Sequence, residues 1–128
     1  MLMPDDYDRW LEPGGAIVPG RVTALLAPVS VAEFDHALAG WRARPHGVDL
    51  SVIATLTTHE PLHSQIHLTP DDLLAPAQAM WSQDPLTCTL EEVDRSFTAK
   101  LRFEATRAGT ISAAVAWFTA EMGDGTTL

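Results

Sequence analysis

The sequence predicts a mainly β protein of the α+β class, in which antiparallel strands are accompanied by a short helix. Residues 97–105 alternate apolar and polar side chains, as a strand with one solvated face does. After a turn at residues 107–110, apolar residues at 111–118 form a partner strand that is expected to be buried on both faces. Apolar residues between Val31 and Trp41 instead recur at spacings of three and four, which is typical of an amphipathic helix.

The N-terminal quarter predicts a helix end, a turn and two extended pieces. Residues 5–12 resemble the last turns of a helix, which Pro13 terminates because proline cannot continue it. Residues 16–18 and 22–27 are then predicted to be extended, the second piece ending at Pro28. The helix that follows is expected to begin at an N-cap Ser30 with Glu33 completing a capping box.

The middle of the chain predicts shorter elements. Residues 48–58 are rich in β-branched side chains and are expected to be extended in part, although Asp49 and Ser51 offer an alternative helical start. Residues 69–72 predict a single helical turn and residues 86–90 a short strand. Polar turns are expected at residues 83–85 and 123–125.

Composition excludes several classes of function. The 128 residues suit one domain, and the formal charge of −9 disfavours binding to DNA or RNA phosphates. The acidic N-terminus is unlike a signal peptide, and no apolar run approaches a membrane span, so a soluble cytoplasmic protein is expected. Cys88 is the only cysteine, which excludes an internal disulfide.

One short motif is typical of zinc hydrolases, and its context argues against that function. His59, Glu60 and His63 match H-E-x-x-H, and His67 follows four residues later. Two histidines four apart share a metal only on a continuous helical turn, and Pro61 between them disrupts such a turn. The flanking alternation favours strand histidines, so no metal site is predicted and a zinc hydrolase is the least favoured alternative.

A glycine turn and the segments after it carry a resemblance to a known family. Residues 11–18, with Pro13-Gly14-Gly15 between a helix and a strand, are similar to a late turn of class I S-adenosylmethionine-dependent methyltransferases. The segments after this turn resemble, in order, the protein arginine methyltransferase family. These segments are residues 17–23, Trp41, residues 47–51, residues 60–62, residues 115–118 and residues 123–128.

The resemblance implies a domain organisation. Residues 1–20 would end a Rossmann-like cofactor domain, and residues 21–128 would form an incomplete antiparallel β-barrel-like substrate domain with an inserted helical arm at about 31–58. In that family the arm docks on the cofactor domain of a second subunit. The arm residues implied here are Phe34, Leu38, Trp41, Val48 and Leu50. The alternative that Phe34, Leu38 and Trp41 pack on this chain's own barrel stays open.

The resemblance also implies what the chain lacks. The family's glycine-rich cofactor loop, its ribose-binding acid and its two-glutamate hairpin lie upstream of the glycine turn, and its Thr-His-Trp loop would follow Leu128, so both ends look cut. No catalytic, cofactor-binding or metal-binding residue is therefore assigned, and the chain alone is expected to be inactive and to bind no cofactor. S-adenosylmethionine is implied only for the complete enzyme.

The sequence thus predicts the barrel and dimerisation portion of an arginine methyltransferase-like protein. Expected partners are a second copy or a separate cofactor domain, reached through open strand edges or the face of residues 31–41, and an arginine-rich protein substrate. Two alternatives are part of another class I methyltransferase with a small-molecule substrate, and a stand-alone β domain that binds a partner without catalysis.

Overall fold

The computed structural model describes residues 11–59 and 67–128. The described residues form three strands, three α-helices and two single turns of 3₁₀-helix. In chain order these are β1 (Arg21–Val29), α1 (Ala32–Arg42), a 3₁₀ turn (Pro45–Gly47), α2 (Ser51–His59), a 3₁₀ turn (Pro70–Asp72), β2 (Gln78–Gln83), α3 (Leu90–Asp94) and β3 (Ala113–Glu121).

The strands form one antiparallel sheet in the order β2-β1-β3. Ala24 of β1 lies opposite Trp81 of β2 and Leu25 opposite Ala79, so Met80 is an extra residue that bulges β2. This open sheet confirms the α+β class and is not a closed barrel. The expected end of a Rossmann-like domain is not confirmed, since residues 11–20 hold neither helix nor strand and residues 1–10 lie outside the described residues.

The described residues divide into two compact units. The sheet unit contains residues 11–27, 77–103 and 115–128, and the arm unit contains residues 28–59, 67–76 and 104–114. Both have small cores of mostly small side chains. The fully or nearly buried apolar residues are Ala27 and Ala120 in the sheet unit, and Val29, Ala54, Leu74 and Ala75 in the arm unit.

The predicted helix forms almost where its spacing placed it, but its expected cap does not. The N-cap of α1 is Val31, which has no side chain able to accept a hydrogen bond, so Ser30 and Glu33 do not form the expected capping box. The acceptor comes from far along the chain, because the Val31 N–H donates to Ser112 Oγ at 3.0 Å. A tertiary contact therefore satisfies the N–H of the N-cap residue, and no side chain caps the first turn of α1.

Residues 48–58, which were expected to be extended in part, are helical from Ser51 onward, as the alternative helical start allowed. Asp49 Oδ1 accepts the Ser51 N–H at 3.0 Å and so satisfies one free donor at the start of α2. Thr55 and Thr57 donate their hydroxyls to carbonyls one turn earlier, Thr57 to Ile53 at 2.6 Å. Because α2 contacts α1 and buries Ala54, packing outweighs the β-branched preference of the run.

Two predicted strands are wrong, and one strand was not predicted. Residues 97–105 join no ladder, although Leu101 and Phe103 are half-buried between exposed neighbours. Residues 86–90 form a turn and the start of α3, because the Asp84 carbonyl accepts the Thr87 and Cys88 N–H groups. Alternation predicts an extended backbone and does not specify a pairing partner: β3 pairs with β1 and not with residues 97–105, and the other neighbour of β1 is the unpredicted β2.

The remaining elements are partly as expected. β1 runs through Pro28 to Val29, since the strand tolerates a proline whose missing N–H is not needed for pairing. Residues 16–18 form no strand. β3 is shifted toward the C-terminus. One of its faces is half-buried, and the other is exposed from Ala114 to Phe118, which is 68% exposed, and is buried at Ala120.

Two predicted turns form where expected, and a third is shifted. The turn expected at residues 83–85 lies at residues 85–87, because β2 continues to Gln83. Residues 69–72 form a single helical turn closed by Thr69 and Asp72. The turn at residues 123–125 requires glycine, because Gly123 and Gly125 have φ values of +84° and +87°. Within residues 11–59 and 67–128, no helix is long and apolar enough to cross a bilayer.

Candidate functional site

The candidate site is the helical arm, defined here as α1, residues 43–50 and α2. The base of the arm is held by Ser112. Its N–H donates to the Val29 carbonyl at 2.9 Å, and its hydroxyl donates to Asp35 Oδ2 at 3.0 Å while accepting the Val31 N–H. This residue therefore ties the first turn of α1 to the end of β1.

A second set of hydrogen bonds fixes the backbone segments around the base of the arm. Leu74 is the centre of this set, because its N–H donates to the Pro28 carbonyl at 2.9 Å and its carbonyl accepts the Thr106 N–H at 2.9 Å. Arg107 Nη2 donates to the Asp71 carbonyl at 2.7 Å. Gly109 lies so close to Leu74 that a Cβ there would be 2.7 Å from Leu74 Cδ2. The base is therefore tightly packed.

The tip of the arm is a tight turn between the two helices. Arg44, His46 and Gly47 have φ values of +52°, +55° and +80°, a conformation that only glycine adopts without strain. Arg44 Nη2 and Asp49 Oδ2 form an ion pair at 3.0 Å across this turn. Hydrogen bonds from Ser51, followed by that from Arg44, hold the pKa of Asp49 below its usual value. Asp49 is thus charged at neutral pH and positions both the turn and α2.

The five arm residues implied by the resemblance differ in exposure. Phe34, Leu38 and Leu50 are half-buried, whereas Trp41 and Val48 are exposed. The half-buried side chains are compatible with packing inside this chain as well as with an interface, so both interpretations of Phe34 and Leu38 stay open. Whether any of the five contacts a second subunit stays a prediction.

The largest apolar exposure on the arm lies on α2 and was not predicted from the sequence. Val52 is 62% exposed and Leu56 is 58% exposed. They are four residues apart and so lie on one face of the helix, while Ala54 on another face is buried. A helical interpretation of residues 51–59 would have found this pair by its spacing. Together with Trp41 and Val48 they form the apolar arm face.

The two motifs that the sequence offered for metal or cofactor chemistry, the histidine cluster and the glycine turn, are only partly described by the structure. His59 ends α2 with Nδ1 2.8 Å from the Thr55 carbonyl, residues 60–66 lie outside the described residues, and no metal-binding group of three side chains occurs among the rest. Pro13 and Gly14 form a turn in which the Gly15 N–H donates to the Glu12 carbonyl at 2.8 Å. After this turn the described chain leads to β1 and not to a helix N-terminus.

Comparison with known proteins identifies the kind of domain to which the arm belongs. Residues 21–127 match the family described as arginine methyltransferase oligomerization subdomain. The chain is 30% identical over 111 residues to protein arginine N-methyltransferase 1 of Chlamydomonas reinhardtii, covering 87% of this chain and 31% of that protein. It is 29% identical over 119 residues to probable protein arginine N-methyltransferase 6 of Arabidopsis thaliana, covering 89% of this chain and 26% of the relative.

A vertebrate relative gives a similar match. Protein arginine N-methyltransferase 6 of Xenopus laevis is 27% identical over 117 residues, which cover 88% of this chain and 34% of that protein. The chain therefore spans between 26% and 34% of the length of these three relatives. The matches favour neither a small-molecule methyltransferase nor a stand-alone binding module.

Proposed function

Because this chain belongs to the arginine methyltransferase family, in the part described as its oligomerization subdomain, we propose that its arm joins it to a second copy of itself. The chain is the barrel and dimerisation portion of such a protein. In this proposal the arm supplies association, and the sheet unit contributes to a surface that receives a protein substrate.

The finer parts of the proposal follow the family. We infer that residues 1–20 end a cofactor domain, that residues 21–128 form part of a barrel, and that S-adenosylmethionine is bound outside this chain. The net charge of −9 supports an arginine-rich protein substrate, since opposite charges favour encounter. We also place the protein in the cytoplasm. The chain alone is then expected to be inactive.

One observation carries the proposal, which is the apolar arm face. Val52 and Leu56 leave about three-fifths of their surface exposed on a helix whose other side is already packed. Burying that remainder contributes about 1–2 kcal/mol for each residue. A contact that covers both, together with exposed Trp41 and Val48, would therefore favour self-association.

Light scattering coupled to size-exclusion chromatography tests this proposal. The wild-type chain is expected to increase in mass toward that of a dimer as its concentration rises. Val52→Asp combined with Leu56→Asp is expected to weaken the dimer by about 100-fold or more, since each change removes about 1.4 kcal/mol of burial and adds a charge. Leu128→Asp is the matched control, because Leu128 is 71% exposed and lies outside the arm.

Two results contradict the proposal. The first is a wild-type chain that stays monomeric at every concentration. The second is a dimer whose dissociation constant changes as little in the arm variant as in Leu128→Asp. Circular dichroism on each variant separates lost association from lost folding.

A further inference from the structure

A second set of exposed apolar side chains lies in the sheet unit, in and around α3. Leu90 and Val93 are three residues apart in this helix and share a face, and further apolar side chains precede and follow the helix. Each of the four is between 37% and 57% exposed, and together we call them the α3 surface. They are Leu86, Leu90, Val93 and Phe97.

The turn before α3 is tied to the sheet through Asp84. The Asp84 carbonyl accepts the Cys88 N–H at 2.9 Å, and Asp84 Oδ1 accepts the Leu86 N–H at 2.9 Å. The other carboxylate oxygen, Oδ2, lies 3.5 Å from Arg21 Nη2 at the start of β1. Leu86 is therefore exposed on a turn whose backbone is held in one conformation.

The helix itself and the residue after it are also held in place. Thr89 Oγ1 accepts the Glu92 N–H at 3.3 Å, and Glu92 Oε2 accepts the Thr89 N–H at 2.9 Å, which closes a capping box at the start of α3. The Phe97 ring stacks on Trp81 of β2, with ring centroids 6.4 Å apart. A surface ordered in this way loses little conformational freedom when a partner binds.

The charge next to the α3 surface is negative. Residues 84–94 contain four carboxylates and no basic side chain. Asp84 is paired with Arg21 and Glu92 closes the capping box, whereas Glu91 and Asp94 form no ion pair with any described residue. Exposed apolar side chains are thus bordered by two carboxylates that are available to a partner.

This combination selects the chemistry of the partner. The carboxylates repel nucleic acid and anionic lipid, and they attract a basic protein segment. Arginine suits the border best, because its guanidinium pairs with carboxylates while its aliphatic stem covers apolar surface. Arginine alone leaves the middle uncovered, so a good partner also carries large apolar side chains that bury Leu90 and Val93.

We propose that the α3 surface docks a segment of a protein substrate in which large apolar side chains lie next to arginines. The proposal rests on the proposed function and deepens it, because it names the part of the sheet unit that receives the substrate. It also narrows the substrate class, since a segment of arginine and glycine lacks the apolar half of the contact. Docking at α3 involves no chemical step.

Fluorescence anisotropy with two labelled peptides tests this proposal in the full chain. Both peptides have the same length and charge. In one, arginine alternates with leucine and phenylalanine, and in the other it alternates with glycine. The apolar–basic peptide is expected to bind about tenfold tighter or more, because burying even two large side chains contributes more than the about 1.4 kcal/mol that a tenfold difference requires.

Two variants of α3 separate the apolar and the charged half of the contact. Leu90→Gln combined with Val93→Gln removes the apolar face, and glutamine maintains helix propensity. Glu91→Gln combined with Asp94→Asn removes the free carboxylates and leaves the capping box intact. Each pair of changes is expected to weaken binding of the apolar–basic peptide by about tenfold. Circular dichroism is expected to be unchanged in both.

Matched controls make the same changes elsewhere. Val52→Gln combined with Leu56→Gln removes apolar side chains from the apolar arm face. Glu33→Gln combined with Glu104→Gln removes two exposed carboxylates outside α3. Both controls are expected to change peptide affinity by less than about twofold, because distant surface charges are screened and the arm is not the docking surface.

The outcomes separate this inference from arm association, which light scattering measures independently. Equal affinity for the two peptides, or wild-type affinity in both α3 variants, overturns the inference, as does an equal loss in the arm control. A chain that dimerises through its arm and binds neither peptide overturns the inference and leaves arm association standing. A chain that stays monomeric and binds the apolar–basic peptide at α3 supports the inference and contradicts arm association.

Discussion

Replacing Ser112 by alanine removes the group that fixes the base of the arm. The hydroxyl accepts the half-buried Val31 N–H at 3.0 Å and donates to Asp35 Oδ2 at 3.0 Å. The methyl group of alanine can do neither. The first turn of α1 would then have a free N–H at its N-cap residue, which no local side chain replaces.

The loss can be estimated from these two contacts. A neutral hydrogen bond to a backbone N–H contributes about 1 kcal/mol, and one to a carboxylate about 1.5 kcal/mol at partial exposure. Ser112→Ala should therefore lower the free energy of unfolding by about 2.5 kcal/mol. For a chain of this size that corresponds to a decrease of about 1 M in the urea midpoint.

Urea denaturation followed by circular dichroism measures this change. Ser82→Ala is the control, because its hydroxyl makes an exposed hydrogen bond to Thr23 Oγ1 at 2.9 Å and its loss is expected to change stability by less than about 0.5 kcal/mol. Asp35→Asn and the double variant complete a cycle. We expect a coupling of about 1 kcal/mol between Ser112 and Asp35.

A small effect would refute the reasoning. If Ser112→Ala is no more destabilising than Ser82→Ala, the base of the arm does not depend on this anchor. If the two changes at Ser112 and Asp35 are additive, the hydroxyl does not donate to the carboxylate.

Two further predictions concern packing and acid stability. Gly109→Ala should destabilise the protein by about 1–3 kcal/mol, because the added Cβ meets buried Leu74 at 2.7 Å. Gly40→Ala in α1 should stabilise it by about 0.5–1 kcal/mol, because the added Cβ meets nothing within 4 Å and alanine favours the helix. Thermal unfolding of both variants measures these opposite signs. Hydrogen bonds from the backbone N–H and then the hydroxyl of Thr69 hold the pKa of Asp72 below 3.8, so its stabilising contribution is present above that pH and is lost as the pH falls through the lowered pKa. The free energy of unfolding, measured between neutral and acidic pH, should therefore fall less steeply below pH 3.8 in Asp72→Asn than in the wild type. Equal slopes in the two proteins would contradict this.

Local patterns predicted some elements because those elements are determined locally. The spacing of apolar residues by three and four predicted α1, because that spacing by itself defines one apolar face of a helix. Proline and glycine placed the turns at residues 69–72 and 123–125, because their φ preferences are intrinsic. These signals need no partner from elsewhere in the chain.

Other elements depend on distant contacts that the sequence pattern does not encode. The N–H of Val31, the N-cap residue of α1, donates to Ser112, which is 81 residues away along the chain. α2 is helical despite its β-branched run because it packs on α1, and β2 pairs with β1 without an alternating pattern of its own. Because residues 51–59 were expected to be extended in part, the sequence analysis named Trp41 and Val48 on the apolar arm face but missed Val52 and Leu56.

The proposed function requires this chain to associate with a second copy through its arm. Hydrogen–deuterium exchange of the wild-type chain, compared above and below the concentration at which it dimerises, measures which segments the contact covers. We expect exchange to slow on dimerisation in Ala32–Arg42 and Ser51–His59 and to stay unchanged in β3. Dimerisation that slows exchange along β3 and leaves both arm helices unchanged would show that the arm is not the interface and that the contact lies at the edge of the sheet.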